Sequence, residues 1–353
     1  MILERYIFRE LVGSFLFAFF AVLMVCLVGT MFQVFRTFPG LGFTILAQAL
    51  PMATGAMASW VMLVATSTSS TLVYARLAAE NEITAMRACG IHTARIVAPA
   101  LLFGLLLICF TYPLVEYVVP WTRFARRMAF RQSTIEALKY PPAGKQDFYI
   151  GSLRLTYTDY LNGRMVNPTI TKMNRQVVVM DYYAPSGRIV ADNGPLRVIM
   201  SKPNYWTIDK NGRQEHFRAG SDVTDEIPLE EFENAQPQDV DQRDEILWDK
   251  LAAAPDRASR NPLLLILHTR YASSLAPLLL VMVAVPIGIL VRHGSRLAGL
   301  GAALPPLLIY LVSYFVFQGL GDKNRVHPIL AAYAPDLFLA GLSSILMWGV
   351  TRR

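Results

Sequence analysis

Few residues in this chain have the types and spacing that catalysis needs. An ATPase loop reads GxxxxGK[ST], because its amides must cradle phosphate oxygens. The one Gly-Lys pair, Gly144–Lys145, is followed by Gln146 and lacks the earlier glycine. A zinc peptidase would carry HExxH and a serine hydrolase GxSxG, and neither occurs. His92, His216, His268, His293 and His327 are scattered without ligand spacing, so the sequence predicts no metal site and no cofactor. Cys26, Cys89 and Cys109 have no zinc or redox spacing and read as free thiols or small hydrophobes. The sequence therefore argues against an enzyme.

One short polar stretch between apolar runs stands out, Ala78–Gly90 (AAENEITAMRACG). Ala79, Ile83, Met86 and Gly90 recur every three or four residues and so share a helix face. Glu80, Glu82, Thr84 and Arg87 fall elsewhere on the circumference, and Gly90 suits a left-handed helix end. The expected element is a stub of about three turns, too short to cross about 30 Å of hydrocarbon. It reads either as a solvated loop helix or as an interfacial helix that offers carboxylates to a partner.

The elements that would position this stub are membrane spans. The chain has 353 residues, 54% apolar content, mean hydropathy +0.36 and net charge +7, the profile of an integral membrane protein. Six runs are long enough to span: 11–35, 44–72, 96–119, 263–291, 297–320 and 332–350. The first is too long for a signal h-region and lacks a convincing cleavage site, so it is expected to remain as an anchor. Pro51, Pro277, Pro286 and Pro305–Pro306 fall in or near these runs, where a helix bundle tolerates proline.

Basic residues set the orientation. Arg5, Arg9, Arg76, Arg87, Arg95, Arg292, Arg296, Arg352 and Arg353 would share one side, against Arg36, Lys323 and Arg325 in the short loops of the other. Both termini and the Ala78–Gly90 stub are then cytoplasmic. The block between Val119 and Leu263 lies outside, in the periplasm of a diderm bacterium. That block opens with the basic helical stretch WTRFARRMAFRQ. After Pro141–Pro142 it changes to alternating segments (FYIGSLRLTY, QVVVMDYY, LRVIM, YWTID), separated by turn signals at Asn162–Gly163, Ser186–Gly187, Asn193–Gly194 and Asn211–Gly212. About eight strands in a sandwich or open barrel are expected, then a loosely packed acidic return over 222–256.

The predicted fold class is thus an α-helical integral membrane protein, six transmembrane helices in a 3+3 arrangement, with an inserted all-β domain. The domains are 1–131 (three spans and the stub), 132–255 (the β-domain and acidic return) and 256–353 (three spans). Small residues in Met52–Ser70 predict a close helix contact, either a subunit seam or packing within the chain. Arg270 and His268, near the start of the fourth span, either snorkel to the surface or meet a lipid phosphate. Glu116, near the outer end of the third span, reads as an interfacial carboxylate.

ENEITAMRACGI resembles the loop between the second and third membrane helices of the LptF/LptG (YjgP/YjgQ) permeases. The likeness continues in RYIFREL (Arg5–Leu11), in RYASSLAPLLLVMVAVPIGI (Arg270–Ile289) and in HPILAAYAPDLFLAG (His327–Gly341), and RYIFRE is slightly closer to LptF than to LptG. The middle third matches in pattern more than in residues. The resemblance implies the permease subunit of an ABC transporter that extracts lipopolysaccharide from the inner membrane toward a periplasmic bridge. The stub would be the coupling helix, with Glu80, Glu82, Ile83, Met86 and Arg87 engaging an LptB-like ATPase dimer that binds the ATP. Other implied partners are a paralogous LptF/LptG permease and LptC/LptA-like jellyroll proteins. The β-domain would be a jellyroll carrying acyl chains along Phe148, Ile150, Val178, Met180, Val198 and Met200. Family members place basic residues near the outer end of the first span, facing lipid A phosphates. This chain has Thr30 and Gln33 there, which leaves Arg36, with Arg270, for phosphate contact. That departure keeps open an exporter of a different amphiphile. A membrane scaffold whose outer β-domain binds a partner without transport is the reading from another class.

Overall fold

Apolar runs too long for any soluble helix core dictate the first unit. The computed structural model describes residues 2–37, 43–139, 141, 143–144, 146–150, 153–174, 177–190, 196–208, 214–227, 237–291 and 296–352. In chain order the helices are α1 (Ile2–Thr37), α2 (Phe43–Ala79), α3 (Glu82–Ala88), α4 (Thr93–Pro113), a π-helical turn (Leu114–Val118), α5 (Val119–Lys139), α6 (Asp244–Ala253), α7 (Arg257–Leu290), α8 (Arg296–Asp322) and α9 (Pro328–Arg352). Among the described residues, five segments are long and apolar enough to cross a membrane: Ile2–Phe32, Thr93–Ala129, Arg257–Leu290, Gly301–Asp322 and Pro328–Val350. The predicted run 44–72 falls within α2, some of whose side chains lie outside the described residues.

Two compact units emerge, one of residues 1–125 with 237–353, the other of residues 126–236. The acidic return, grouped by sequence with the strands, divides. Its helix α6 belongs to the helical unit because Leu247 and Leu251 bury against Leu263 and Leu267 of α7.

In the helical unit one core joins α1, α2, α3, α4 and α7 through Ile7, Leu11, Tyr74, Leu77, Ile83, Met86, Phe103 and Val281. The prolines sit inside continuous helices, as the bundle reading requires. Pro113 is followed directly by the π-helical turn. Proline offers no N–H to the carbonyl four residues back, and a slip to wider hydrogen bonding relieves that loss.

The second unit holds eleven strands among the described residues rather than the expected eight: β1 (Gln146–Ile150), β2 (Leu153–Tyr157), β3 (Asp159–Leu161), β4 (Arg164–Val166), β5 (Thr169–Asn174), β6 (Val177–Tyr183), β7 (Ser186–Val190), β8 (Leu196–Ser201), β9 (Asn204–Ile208), β10 (Gln214–Arg218) and β11 (Val223–Ile227). Part of the excess comes from strands of three residues, β3 and β4, too short for alternation to reveal. They form antiparallel sheets ordered β1-β2-β5-β6-β9-β10 and β11-β8-β7-β4-β3. Phe148, Leu155, Tyr157 and Ile170 from one sheet and Met165, Val198 and Met200 from the other share a single buried core, so the sheets pack face to face.

Asn162 (φ 51°) and Gly163 (φ 76°) make the tight β3–β4 hairpin that the Asn-Gly pair predicts. Ser186–Gly187, expected as a turn, instead lies in β7. A Cβ on Gly187 would come within 3.0 Å of Pro168 and 3.1 Å of the Ile199 carbonyl, so the glycine serves a close strand contact. Asn193–Gly194 and Asn211–Gly212 lie outside the described residues.

Asp159 joins this unit's first turn to its strands. Its Oδ1 accepts from the Gly144 N–H at 2.7 Å and the Tyr160 N–H at 2.8 Å, which holds the carboxyl below the usual carboxylate range. A depressed folded pKa contributes stability above the unfolded value of about 4, and that contribution disappears as pH falls through the folded value. Acidification is expected to lower the protection factors of the Gly144 and Tyr160 amides, that is, their exchange relative to an unfolded peptide at the same pH. In Asp159→Ala, both protection factors should already be low at neutral pH and change less with acid; unchanged protection in the variant would refute the anchoring role.

Candidate functional site

The polar stretch 78–90 is built by local rules. α2 ends at Ala79, and Asn81 takes a left-handed conformation (φ 59°), so α3 starts only at Glu82. The helix is therefore seven residues, shorter than the expected three turns, and Glu80 sits in the preceding turn. At its end the Gly90 N–H donates to the Arg87 carbonyl at 2.9 Å and the Ile91 N–H to the Met86 carbonyl at 3.1 Å. With Gly90 at φ 81° this is a Schellman stop, which the glycine's position signals in the sequence. His92 accepts the Ala94 N–H on Nδ1 at 3.2 Å and so caps α4.

Tertiary contacts seat α3 firmly. Ile83 and Met86 insert into the main helical core beside Ile7, Leu11 and Leu77. The Tyr6 hydroxyl donates to Glu82 Oε1 at 3.4 Å, and Arg87 Nη2 donates to the Val350 carbonyl at 3.3 Å. Ion pairs Arg76–Glu10 (3.0 Å) and Arg95–Glu4 (3.5 Å) fasten the ends of α2 and α4 to α1. Five of the sequence-selected residues thus converge here, with distinct places: Ile83 and Met86 anchor, Glu82 and Arg87 lie half-buried at the rim, and Glu80 is exposed. The outward surface also includes Asn81, Thr84, Ala85 and Ala88. Of these, spacing marks Thr84 alone as off the apolar face; Asn81, Ala85 and Ala88 are neither charged nor on the apolar stripe.

Arg270 behaves differently from its sequence expectation. It is buried in α7, where Nη1 donates to Asp244 Oδ1 at 2.7 Å and Nη2 to the Val240 carbonyl at 3.0 Å. Its charge is answered from within the chain by Asp244. Asp244 carries no motif in the sequence; its place at the start of α6 puts it under Arg270. Nearby, Trp248 Nε1 donates to the Tyr271 hydroxyl at 3.2 Å, and the rings of Tyr271 and Tyr112 stack with centroids 6.1 Å apart. Glu116, expected at the interface, is buried in the π-helical turn.

The Ser/Thr run of α2 packs inside the chain. Ser67 Oγ donates to the Ala303 carbonyl of α8 at 2.9 Å, and Thr66, Ser69 and Thr71 bond within their own helix. For 66–71 this decides between the two readings in favour of intramolecular packing. Thr30, buried, likewise donates to the Cys26 carbonyl at 2.7 Å.

In the strand unit Phe148, Val198 and Met200 are buried in one core with Leu155, Tyr157 and Met165. Met180 is only half-buried. The side chains of Arg36, Ile150 and Val178 lie outside the described residues. Among the described residues, no group of three His, Cys, Asp or Glu is placed to hold a metal ion.

Compared with known protein families, the chain matches the model described as lipopolysaccharide export system permease LptF/LptG over residues 5–349. No curated protein matches it.

Proposed function

The chain belongs to the LptF/LptG family of lipopolysaccharide export permeases, a multi-pass inner-membrane transport component and not an enzyme, and from that premise we propose how it works. It is one permease of an ABC exporter and pairs with a paralogous permease. A cytoplasmic LptB-like ATPase dimer supplies the energy and binds the ATP. Six spans, α2 among them, hold both termini and α3 in the cytoplasm. The strand unit is a periplasmic jellyroll that meets LptC/LptA-like partners by edge pairing. Apolar faces left open on α1 (Phe17, Phe20, Met24) and α8 (Leu308, Val312, Phe315) suit lipid or the second permease.

The observation that carries this reading is the seating of α3. A short helix in a floppy loop would dissipate a push. Here Ile83 and Met86 share the core of α1, α2, α4 and α7, so displacement of α3 shifts those helices with it. Closure of the ATPase dimer on ATP would drive that displacement, and the changed bundle would expel lipid outward. Two discrete states with different contacts suffice, and no catalytic side chain is required.

Glu82→Ala should release the ATPase during purification in mild detergent and lower ATP-driven lipid export about tenfold, as expected for one lost charge-assisted contact. The core residues around α3 should stay folded. Undiminished co-purification and export would remove Glu82 from the docking surface.

A second reading, export of an amphiphile other than ordinary lipopolysaccharide, is favoured by the outer end of α1. There Thr30 bonds to its own helix where the family places cations. Mass spectrometry of lipids retained by the purified complex separates the two cargoes.

A further inference from the structure

A cavity of about 470 Å³ opens where the start of α7 meets the α8–α9 turn. Arg257, Arg260 and Arg325 line it together with His327, Asn261 and Asn324. No carboxylate lines this cavity, and none of the three arginines forms an ion pair among the described residues. Asp256 and Asp322 flank the cavity in sequence but are not part of its wall.

The wall is built rather than incidental. Asn261 Nδ2 donates to Asn324 Oδ1 at 2.8 Å, tying the first turns of α7 to the α8–α9 connection. Asn324 is left-handed (φ 53°), its N–H donates to Gly321 O, and the Arg325 N–H donates to Leu320 O, both at 2.9 Å. This Schellman stop fixes the backbone of Arg325 and satisfies the last carbonyls of α8. Gly321 allows the turn to sit tightly, since a Cβ there would come within 3.0 Å of Ala331 and Leu265. Two helices, α7 and α9, begin at the cavity, and their N-terminal amides add positive potential to that of the arginines.

The cavity's place in the bundle narrows the ligand. It lies at the rim of the candidate spans Arg257–Leu290, Gly301–Asp322 and Pro328–Val350. Val350, which touches α3, is at the far end of α9, about 33 Å away along a helix rising about 1.5 Å per residue. Along α9 from the rim, Leu330 and then, two turns on, Leu337 and Phe338 are exposed, with residues 331–336 between them buried or half-buried.

We propose that Arg257, Arg260 and Arg325 form a binding site for the phosphate of an anionic lipid in the leaflet opposite α3, with an acyl chain lying along Leu330, Leu337 and Phe338. Paired guanidinium donors match phosphate oxygens, and basic recesses between spanning helices suit anionic headgroups. The site stands apart from α3 and does not rest on the transport reading.

The test uses the full chain in mixed micelles, scored by native mass spectrometry for retained phosphatidylglycerol against phosphatidylcholine. The native chain should prefer phosphatidylglycerol. Arg257→Gln/Arg260→Gln/Arg325→Gln should lose about tenfold or more of that retention, on the scale of three surface cations. The matching Lys triple should keep most of it, and a charge-matched control, Arg164→Gln/Arg188→Gln/Arg218→Gln in the strand unit, should keep all of it. Equal retention by the Gln triple would overturn the site. Displacement by millimolar inorganic phosphate, with no preference between the two lipids, would overturn the lipid as its source.

Discussion

Arg270→Met is expected to cost about 3–5 kcal/mol of folding stability, the range for removing one partner of a buried ion pair. The pair's side chains are 8% and 6% exposed, so water cannot solvate the Asp244 carboxylate that the change strands. Asp244→Leu should be comparably harmful for the mirror reason. The Arg270→Met/Asp244→Leu double variant should recover most of the loss, because apolar replacement of a whole buried pair is often neutral or stabilising. Unfolding of the purified chain in detergent measures all three. Strict additivity would mean that the two residues do not interact. The same variants also test the sequence expectation that Arg270 touches lipid phosphate. In that case Arg270→Met would impair export while Asp244→Leu would not; a structural pair makes both fall together.

Gly288→Leu is expected to be the other severe change. Helices α2 and α7 meet there backbone to backbone. A Cβ on Gly288 would stand 2.8 Å from the Thr71 carbonyl oxygen, 2.8 Å from Tyr74 Cβ and 3.0 Å from the Ala75 nitrogen. Neither carbonyl nor amide can swing aside as a side-chain tip does, so the helices must separate. Overpacking of this kind costs about 1–3 kcal/mol or more. It also pushes on Tyr74, whose hydroxyl donates to the Ile96 carbonyl of α4 at 2.8 Å. The contact lies between α7 and the end of α2 that leads into α3, so surviving protein should couple poorly to its ATPase. Gly341→Leu in α9 is the control, since nothing lies within 4 Å of its added Cβ. Similar yields and melting behaviour for the two variants would show that the α2–α7 approach is not a constraint.

Much of the protein is legible along the chain. Apolar run length announces the long helices, and the charge of the flanking loops suggests their orientation. Ile83 and Met86 declare the buried side of α3 by spacing alone, Gly90 declares its stop, and Asn162–Gly163 declares a hairpin. These signals are local, because helix period, capping and turn conformation depend on a few neighbouring residues. Local signals also mislead in definite ways. Ser186–Gly187 reads as a turn because glycine favours turns, yet Gly187 is needed for contact with Pro168 and Ile199. The stub reads one turn too long because periodicity runs on through Ala79 into α2, and nothing in the pattern marks Asn81 as left-handed.

The sequence by itself determined the class of protein, the family, the principal helices and the residues around which a partner contact would form. Only the tertiary structure decided what those residues meet. Arg270 finds Asp244 twenty-six positions away, Ser67 finds Ala303, and Arg87 finds the carbonyl of Val350. Arg257, Arg260 and Arg325 gather at one cavity although the first two and the third come from different helix connections. Each pairing follows from the docking of elements distant in sequence. Spacing encodes which face of a helix is apolar, but the energy of a buried charge or a missing Cβ depends on the neighbour that packing brings within 3 Å or so, and that neighbour exists only once the helices are assembled.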